Sequence, residues 1–267
     1  MNPIDALFTR LRAAKRPAFM PFLTAGDPDL AFTAEALPSL AAAGADLVEV
    51  GFPFSDPIAD GPVIQASYTR ALSAGFKLGE LFKTVKTVTC TSGWTTPLVA
   101  MASYSLIWKK GIVAFIETAQ QSGFNGAVVP DLPAEEADEI ATRCRDRDFK
   151  LILLVSPTTA PARAEKIVKA CSGFVYVVSV VGITGTQTSV AGQVEALLAR
   201  LRKITDLPLC VGFGVSKPEH VKALREIADG VIVGSALVKK LDGATKDRAG
   251  AMKDVSELVR QLRGAID

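Results

Sequence analysis

The sequence predicts a single (β/α)₈ TIM barrel with an extra N-terminal helix, and three observations predict this fold class. Short apolar runs rich in Val, Ile, Leu and Phe alternate eight times with segments of helical character, without a long linker between them. The runs are apolar at nearly every position, which is typical of parallel strands buried on both faces. A chain of 267 residues, 49% of them hydrophobic, can form one such barrel as a single domain over residues 1–267.

The individual elements follow from local signals along the chain. A helix over Ile4–Ala14 precedes the first strand, and a helix over Lys246–Ile266 closes the chain. Gly44 and Gly123 each stand where a helix should end before a strand, and Pro133 opens a helix with acidic residues in its first turn. An open doubly wound sheet is the alternative fold, but such a sheet usually has fewer strands. The eight predicted strands are Ala18–Thr24, Leu47–Gly51, Leu98–Ala102, Gly126–Val129, Lys150–Val155, Phe174–Val178, Pro208–Gly212 and Gly230–Val233.

The composition argues against several classes of function. The formal charge is only +2, from 30 basic and 28 acidic residues that are interspersed, so we expect no nucleic-acid partner. The N-terminus shows no basic-then-apolar signal, and no apolar stretch reaches the length of about 18 residues that would suggest a membrane span. The four cysteines lie far apart and form no C-x-x-C pair, which favours small buried side chains over disulfides. We therefore expect a cytoplasmic protein that does not enter a membrane.

The chain contains one histidine, His220, in the first turn of a predicted helix. A single histidine argues against a Ser-His-Asp triad and excludes a metal site built from several imidazoles, so we expect no metal. Lysines do not mark a Schiff-base site, because Lys109, Lys110, Lys217, Lys239 and Lys240 all fall in predicted loops or helices beyond the strands. Proton transfer near neutral pH should then depend chiefly on carboxylates.

Two carboxylates are the candidate catalytic residues. In a barrel of this type the active site lies at the carboxyl ends of the strands. Glu49 interrupts an apolar strand near that end, and alternation places it on one face with Leu47 and Gly51. If that face is inward, burial among apolar side chains should raise the pKa of Glu49 towards the range useful for proton transfer. Asp60 follows in a loop rich in proline, which could hold a second carboxylate in place.

Glycines at the last three strand ends indicate an anion site. The sixth predicted strand is followed by Gly182-Ile183-Thr184-Gly185, the seventh by Phe213-Gly214, and the eighth by Gly234-Ser235. Glycine lets backbone amides approach an anion, and Gly234-Ser235 opens a short helix whose N-terminus attracts phosphate. The residues thus predict a phosphate-binding site at strands 6–8 beside two carboxylates. This combination fits proton transfer or carbon–carbon cleavage in a phosphorylated substrate.

The same residues resemble the tryptophan synthase α subunits, and the resemblance extends from the first strand to the eighth. The segment GFPFSDPIADGPVIQ is highly specific for that family. The other matching strings are Pro21-Phe22-Leu23-Thr24-Ala25-Gly26-Asp27-Pro28, Asp131-Leu132-Pro133, Gly182-Ile183-Thr184-Gly185, Gly212-Phe213-Gly214 and Gly234-Ser235.

The resemblance implies a lyase that cleaves indole-3-glycerol phosphate to indole and glyceraldehyde 3-phosphate. By resemblance, Glu49 would move protons between the glycerol hydroxyl and indole C3, and Asp60 would accept the indole N–H. Phe22, Tyr176 and Phe213 would line the indole pocket. Thr184 would help to close the site, and the phosphate would be held by Gly185, Gly214, Gly234 and Ser235.

The resemblance also implies a partner. The α subunit of this family docks onto a β subunit that carries pyridoxal phosphate (PLP), in an α2β2 complex, so no cofactor is expected in this chain. The loop over 53–60 is a plausible docking surface. Four departures from the family pattern accompany the match. Ser103 and Ser105 stand where tyrosine and asparagine are usual, Val180 stands where arginine is often found, and Gln187 replaces another arginine.

Two alternatives remain open at this level. Other phosphate-binding barrels, such as pentose-phosphate epimerases or triosephosphate isomerase, share the late glycine loops but need histidines that this chain lacks. Indole-3-glycerol phosphate synthase would require catalytic lysines on the barrel strands, and this chain lacks them. From a different class, the chain could be a weakly active or non-catalytic barrel that mainly activates a β subunit.

Overall fold

The computed structural model describes residues 1–91, 93–179, 187–212 and 214–267, with only the backbone for 187–191. The predicted barrel is confirmed: these residues form one parallel, nearly closed sheet of nine strands surrounded by helices. The strands are β1 Ala18–Thr24, β2 Val48–Gly51, β3 Leu98–Met101, β4 Phe124–Val128, β5 Lys150–Ile152, β6 Leu154–Val155, β7 Val175–Val178, β8 Leu209–Gly212 and β9 Gly230–Val233.

The helices connect successive strands on the outside of the barrel. They are α1 Pro3–Ala13, α2 Leu30–Ala42, α3 Pro62–Ser73, α4 Leu78–Thr89, α5 Tyr104–Lys110, α6 Ile112–Gln121, α7 Asp138–Asp146, α8 Pro161–Ala170, α9 Gln187–Leu201, α10 Pro218–Leu224, α11 Ser235–Leu241 and α12 Arg248–Gly264. The helix predicted to open at Pro133 instead begins as a short 3₁₀ turn, Ala134–Glu136, before α7. No helix in the described part of the chain is long and apolar enough to cross a membrane.

The barrel closes within one predicted strand, which the structure divides into two. The strand order is β5-β4-β3-β2-β1-β9-β8-β7-β6, so both edges of the sheet come from the segment predicted as Lys150–Val155. The backbone N–H of Leu153 donates to Cys171 Sγ at 3.3 Å, and its carbonyl accepts from Tyr176 N at 3.2 Å. Leu153 therefore leaves the ladder with β4 and begins the ladder with β7, and one segment joins the two edges.

The strands are apolar throughout because both of their faces are buried. On β1, Met20 and Phe22 belong to the cluster inside the barrel, whereas Phe19 and Leu23 pack against the helix layer. Helix α1 closes the amino-terminal end of the barrel by inserting its buried face into the inner cluster. Because both faces of the strands are buried and α1 closes the amino-terminal end, the carboxyl ends of the strands form the open mouth of the barrel.

Helix α3 is fixed to the first strand by polar contacts on its inner side. The hydroxyls of Thr24 and Ser67 lie 2.7 Å apart and are buried. Arg70 donates to both oxygens of Asp27, at 3.1 and 2.7 Å, and also pairs with Asp242 at the end of α11. These contacts position α3, and with it the loop that precedes the helix, against the barrel mouth.

Candidate active site

Glu49 points into the barrel from the carboxyl end of β2. It lies opposite Phe22 of β1 and Val99 of β3, and its neighbours Val48 and Val50 face the helix layer. Only 2% of Glu49 is exposed, and its Oε1 has no hydrogen-bond partner among the described residues. Burial, and secondarily the negative charge of Asp60, raise the pKa of Glu49 to about 8. Glu49 therefore holds its proton at neutral pH.

Asp60 approaches the same space from the loop between β2 and α3. Its backbone N–H donates to the carbonyl of Pro57 at 3.1 Å, and Gln65 Nε2 donates to its carbonyl at 2.8 Å. The first turns of α3 therefore hold the loop backbone in place. Burial, and then the charge of Asp131, raise the pKa of Asp60 to about 6. At a pH between these two pKa values, about 6 and about 8, Asp60 is ionised while Glu49 is protonated.

A cavity of about 180 Å³ joins the two carboxylates to the glycine-rich strand ends. Seven of the predicted site residues line it: Phe22, Glu49, Asp60, Tyr176, Gly214, Gly234 and Ser235. Thr184, Gly185 and Phe213 lie outside the described residues, as does Val180. The structure thus brings together residues that are up to 213 positions apart in the chain, from Phe22 to Ser235.

The part of the cavity lined by Gly234 and Ser235 favours a negatively charged group. Gly234 precedes α11, which begins at Ser235 on the cavity wall. The first N–H groups of a helix lack internal partners and carry the positive end of its dipole. Gly214 has a φ of +75°, a backbone conformation that favours glycine, and its carbonyl lies 3.1 Å from His220 Nδ1. His220 therefore contacts the glycine loop from outside the cavity.

Two glycines on the strands allow aromatic rings to approach the cavity closely. A Cβ atom on Gly212 would lie 2.3 Å from the Tyr176 hydroxyl. A Cβ atom on Gly51 would lie 2.3 Å from Phe22 Cζ and 2.8 Å from the Tyr68 hydroxyl. Because these distances are far below van der Waals contact, glycine is required at both positions for the rings to lie where they do.

Gly51→Ala is expected to destabilise the protein by about 1–3 kcal/mol, since two buried rings would have to move at once. Because Phe22 lines the cavity, its displacement should weaken ligand binding there as well. The free energy of unfolding from urea titration measures the first effect. Gly79→Ala in α4 is the matched control, because nothing lies within 4 Å of its Cβ position. Equal stability of Gly51→Ala and the native chain would contradict the steric argument.

Sequence reasoning missed several residues at the barrel mouth. Ile232 lines the main cavity, and Tyr68 lines a second, smaller cavity beside Asp60. Tyr68 follows Ile64 by one helical turn on the buried face of α3, and this spacing was the available signal. Ser103, one of the departures from the family pattern, donates to Asp131 Oδ2 at 2.6 Å, and Asp131 Oδ1 accepts from Tyr104 N at 2.7 Å.

Comparisons with known proteins agree along the whole chain. The family model described as tryptophan synthase alpha chain matches residues 8–267. The tryptophan synthase alpha chain of Synechocystis sp. is 47% identical over 267 residues, covering 100% of both chains. That of Rhodopirellula baltica is 44% identical over 276 residues, covering 100% of this chain and 99% of the other.

Solved structures give the same result. Tryptophan synthase subunit alpha from Legionella pneumophila superposes with a TM-score of 0.91 at 33% identity, over 100% of this chain and 99% of that one. A chain of tryptophan synthase from M. tuberculosis, in its aminoacrylate-bound form, superposes with a TM-score of 0.87 at 28% identity, over 100% of each chain. The chain belongs to the tryptophan synthase alpha chain family.

Proposed function

We propose that this chain cleaves indole-3-glycerol phosphate to indole and glyceraldehyde 3-phosphate, the α reaction of tryptophan synthase in L-tryptophan biosynthesis. The observation that carries the proposal is a single cavity lined by Glu49 and Asp60 and also by Gly234 and Ser235, where α11 begins and an anion is favoured. Family membership supports the same reaction class. The enzyme is a carbon–carbon lyase of the retro-aldol type.

The two carboxylates have different protonation states, and the reaction needs this difference. Protonated Glu49 gives its proton to C3 of the indole ring, which leaves positive charge on the ring nitrogen. Ionised Asp60 accepts the ring N–H and stabilises that charge. Glu49, now a carboxylate, removes the proton from the glycerol hydroxyl next to the ring. The carbon–carbon bond then breaks, its electron pair returns to the ring, and Glu49 is again protonated.

The remaining cavity residues bind and orient the substrate. Phe22 and Tyr176 contact the indole ring, while Gly214, Gly234 and Ser235 bind the phosphate through backbone N–H and hydroxyl donors. Thr184, Gly185 and Phe213 belong to the same proposed set by resemblance. The electron sink is the protonated ring itself, so the proposal requires no metal or cofactor bound to this chain.

A PLP-dependent β subunit, in an α2β2 complex, is the proposed partner. The loop over 53–60 that carries Asp60 also carries Ile58, which is 77% exposed. Trp108 in α5 is another large exposed apolar side chain, with its ring near that of Tyr104. Large exposed apolar side chains such as these suit a surface that a partner covers. The superposed M. tuberculosis chain belongs to a structure of tryptophan synthase, which is consistent with such a partner.

The alternative, a barrel that only activates a partner, is less well supported. A carboxyl group that is 2% exposed, with one oxygen that has no hydrogen-bond partner in the part of the chain that the structure describes, is costly to the fold. A purely structural barrel would gain stability by replacing Glu49 with an apolar residue. A buried carboxyl group that destabilises the fold and is nevertheless present indicates a residue used in chemistry.

Release of indole from indole-3-glycerol phosphate by the purified chain, with and without a β subunit, tests the proposal. We expect a bell-shaped dependence of kcat/KM on pH. Activity should fall below pH about 6 as Asp60 takes up a proton, and above pH about 8 as Glu49 loses its proton. Absence of indole release under both conditions would contradict the proposed function.

A further inference from the structure

Tyr68 reaches the barrel mouth from the helix layer. It is 2% exposed and belongs to the cluster inside the barrel, although it lies on α3. Its hydroxyl lies beside Gly51, on the same side as Phe22 Cζ, since one Cβ atom there would touch both. Phe22 lines the main cavity, so Tyr68 lies immediately behind the cavity wall at this point.

The phenol also lies within the electric field of the catalytic pair. Burial raises the pKa of Tyr68 well above its usual range, and the charges of Asp60 and Glu49 raise it further. Tyr68 therefore stays neutral at every pH at which the enzyme would work. Its contribution at the mouth is the volume of its ring and an uncharged hydroxyl.

Tyr68 lines a second cavity that adjoins the first. This smaller cavity has a volume of about 20 Å³, and Ala102 and Ser103 are among its walls. Asp60 and Met101 border both cavities, so they stand at the partition between them. The ring of Tyr68 fills the space next to this partition. Removing the ring would enlarge the small cavity beside this partition.

The chemistry fixes which end of the substrate meets this partition. In the proposed reaction Asp60 accepts the indole N–H and Gly234 and Ser235 bind the phosphate, so the indole lies beside Asp60, which borders both cavities. We propose that Tyr68 is a specificity-determining residue that limits the size of the indole ring accepted by the site. This inference rests on the proposed function and extends it to ring-substituted substrates.

Synthesis of indole-3-glycerol phosphates from glyceraldehyde 3-phosphate and an indole tests the inference. The kcat/KM for each of 4-, 5-, 6- and 7-methylindole is divided by that for indole. For at least one methylindole, we expect Tyr68→Leu and Tyr68→Ala to raise this ratio at least roughly tenfold over the native chain, the scale on which a pocket discriminates one methyl group. Ratios within twofold of the native values in both variants, with both shown by thermal melting to be folded, would overturn the inference.

Two further variants separate ring volume from other causes. Tyr68→Phe keeps the ring and should keep the native ratios; a rise equal to that of Tyr68→Ala would overturn the assignment to ring size. Phe8→Leu removes a ring from the same cluster at the opposite end of the barrel, where Phe8 packs against Phe174. It should keep the native ratios, and an equal rise there would show general loosening of the core and overturn the inference.

A binding measurement keeps the inference separate from the proposed function. If the native chain forms no product from indole, the proposed function fails. Calorimetric affinities of the native chain and Tyr68→Leu for indole and the methylindoles then judge the inference alone. A tenfold gain in relative methylindole affinity supports it, and unchanged relative affinity overturns it.

Discussion

Replacing Glu49 with glutamine is expected to lower kcat for indole release by roughly 10³-fold, because the variant can neither protonate C3 nor accept the hydroxyl proton. Glutamine has nearly the same shape and is uncharged, as protonated Glu49 is. KM should therefore change much less than kcat. Steady-state assays with indole-3-glycerol phosphate across a range of pH values measure both constants.

The same substitution should remove the titration of Glu49 from the pH dependence of the free energy of unfolding. The pKa of Glu49 is raised from 4.5 to about 8, so the folded state binds more protons than the unfolded state between these values. The free energy of unfolding of the native chain should fall as pH rises through this window, by up to about 1.4 kcal/mol per pH unit, and then level off. Glu49→Gln lacks this loss, so its stability advantage should grow to a few kcal/mol by pH 8–9.

Glu165→Gln is the matched control for both measurements. Glu165 is exposed on α8 and lines neither of the two cavities at the barrel mouth, and the substitution makes the same chemical change. It should leave kcat and the pH dependence of stability at native values. Native activity in Glu49→Gln would remove Glu49 from the catalytic role. If Glu49→Gln and the native chain had the same melting temperature at pH 8–9, this would contradict the burial of a charged Glu49 in the native chain at that pH.

Asp60→Asn is expected to lower kcat by roughly 10²-fold or more, since an amide can still accept the indole N–H but supplies no charge to stabilise the cationic ring. The expected loss is smaller than for Glu49→Gln because the proton donor remains in place. Single-turnover measurements separate this loss in the chemical step from any change in product release.

The substitution should also move the titration of its neighbour. The charge of Asp60 contributes to the raised pKa of Glu49, so removing that charge should lower the Glu49 pKa. The alkaline limb of the residual activity should then shift below pH 8, and the acidic limb near pH 6 should disappear. Asp254→Asn, on the exposed face of α12, is the control and should keep both limbs. An acidic limb that persists in Asp60→Asn would contradict its assignment to Asp60.

Much of the site could be predicted from sequence because its residues follow strand ends. Glu49 interrupts β2 two residues from a glycine, and alternation alone places it with Leu47 rather than with Val48. Tyr68 could not be predicted in the same way. A tyrosine at helical spacing is usually an ordinary core residue, and only the approach of α3 to Gly51 shows that it reaches the mouth.

The sequence by itself determined the order of strands and helices, the glycine ends and the family motif, because these depend on residues close together in the chain. Only the tertiary structure decided that one predicted strand divides at Leu153, and that Glu49 and Asp60 titrate near pH 8 and pH 6. The physical reason is that burial and charge coupling depend on which distant segments pack together. Elements that are far apart in sequence, such as β2, β7 and α11, meet at the mouth only when the barrel closes.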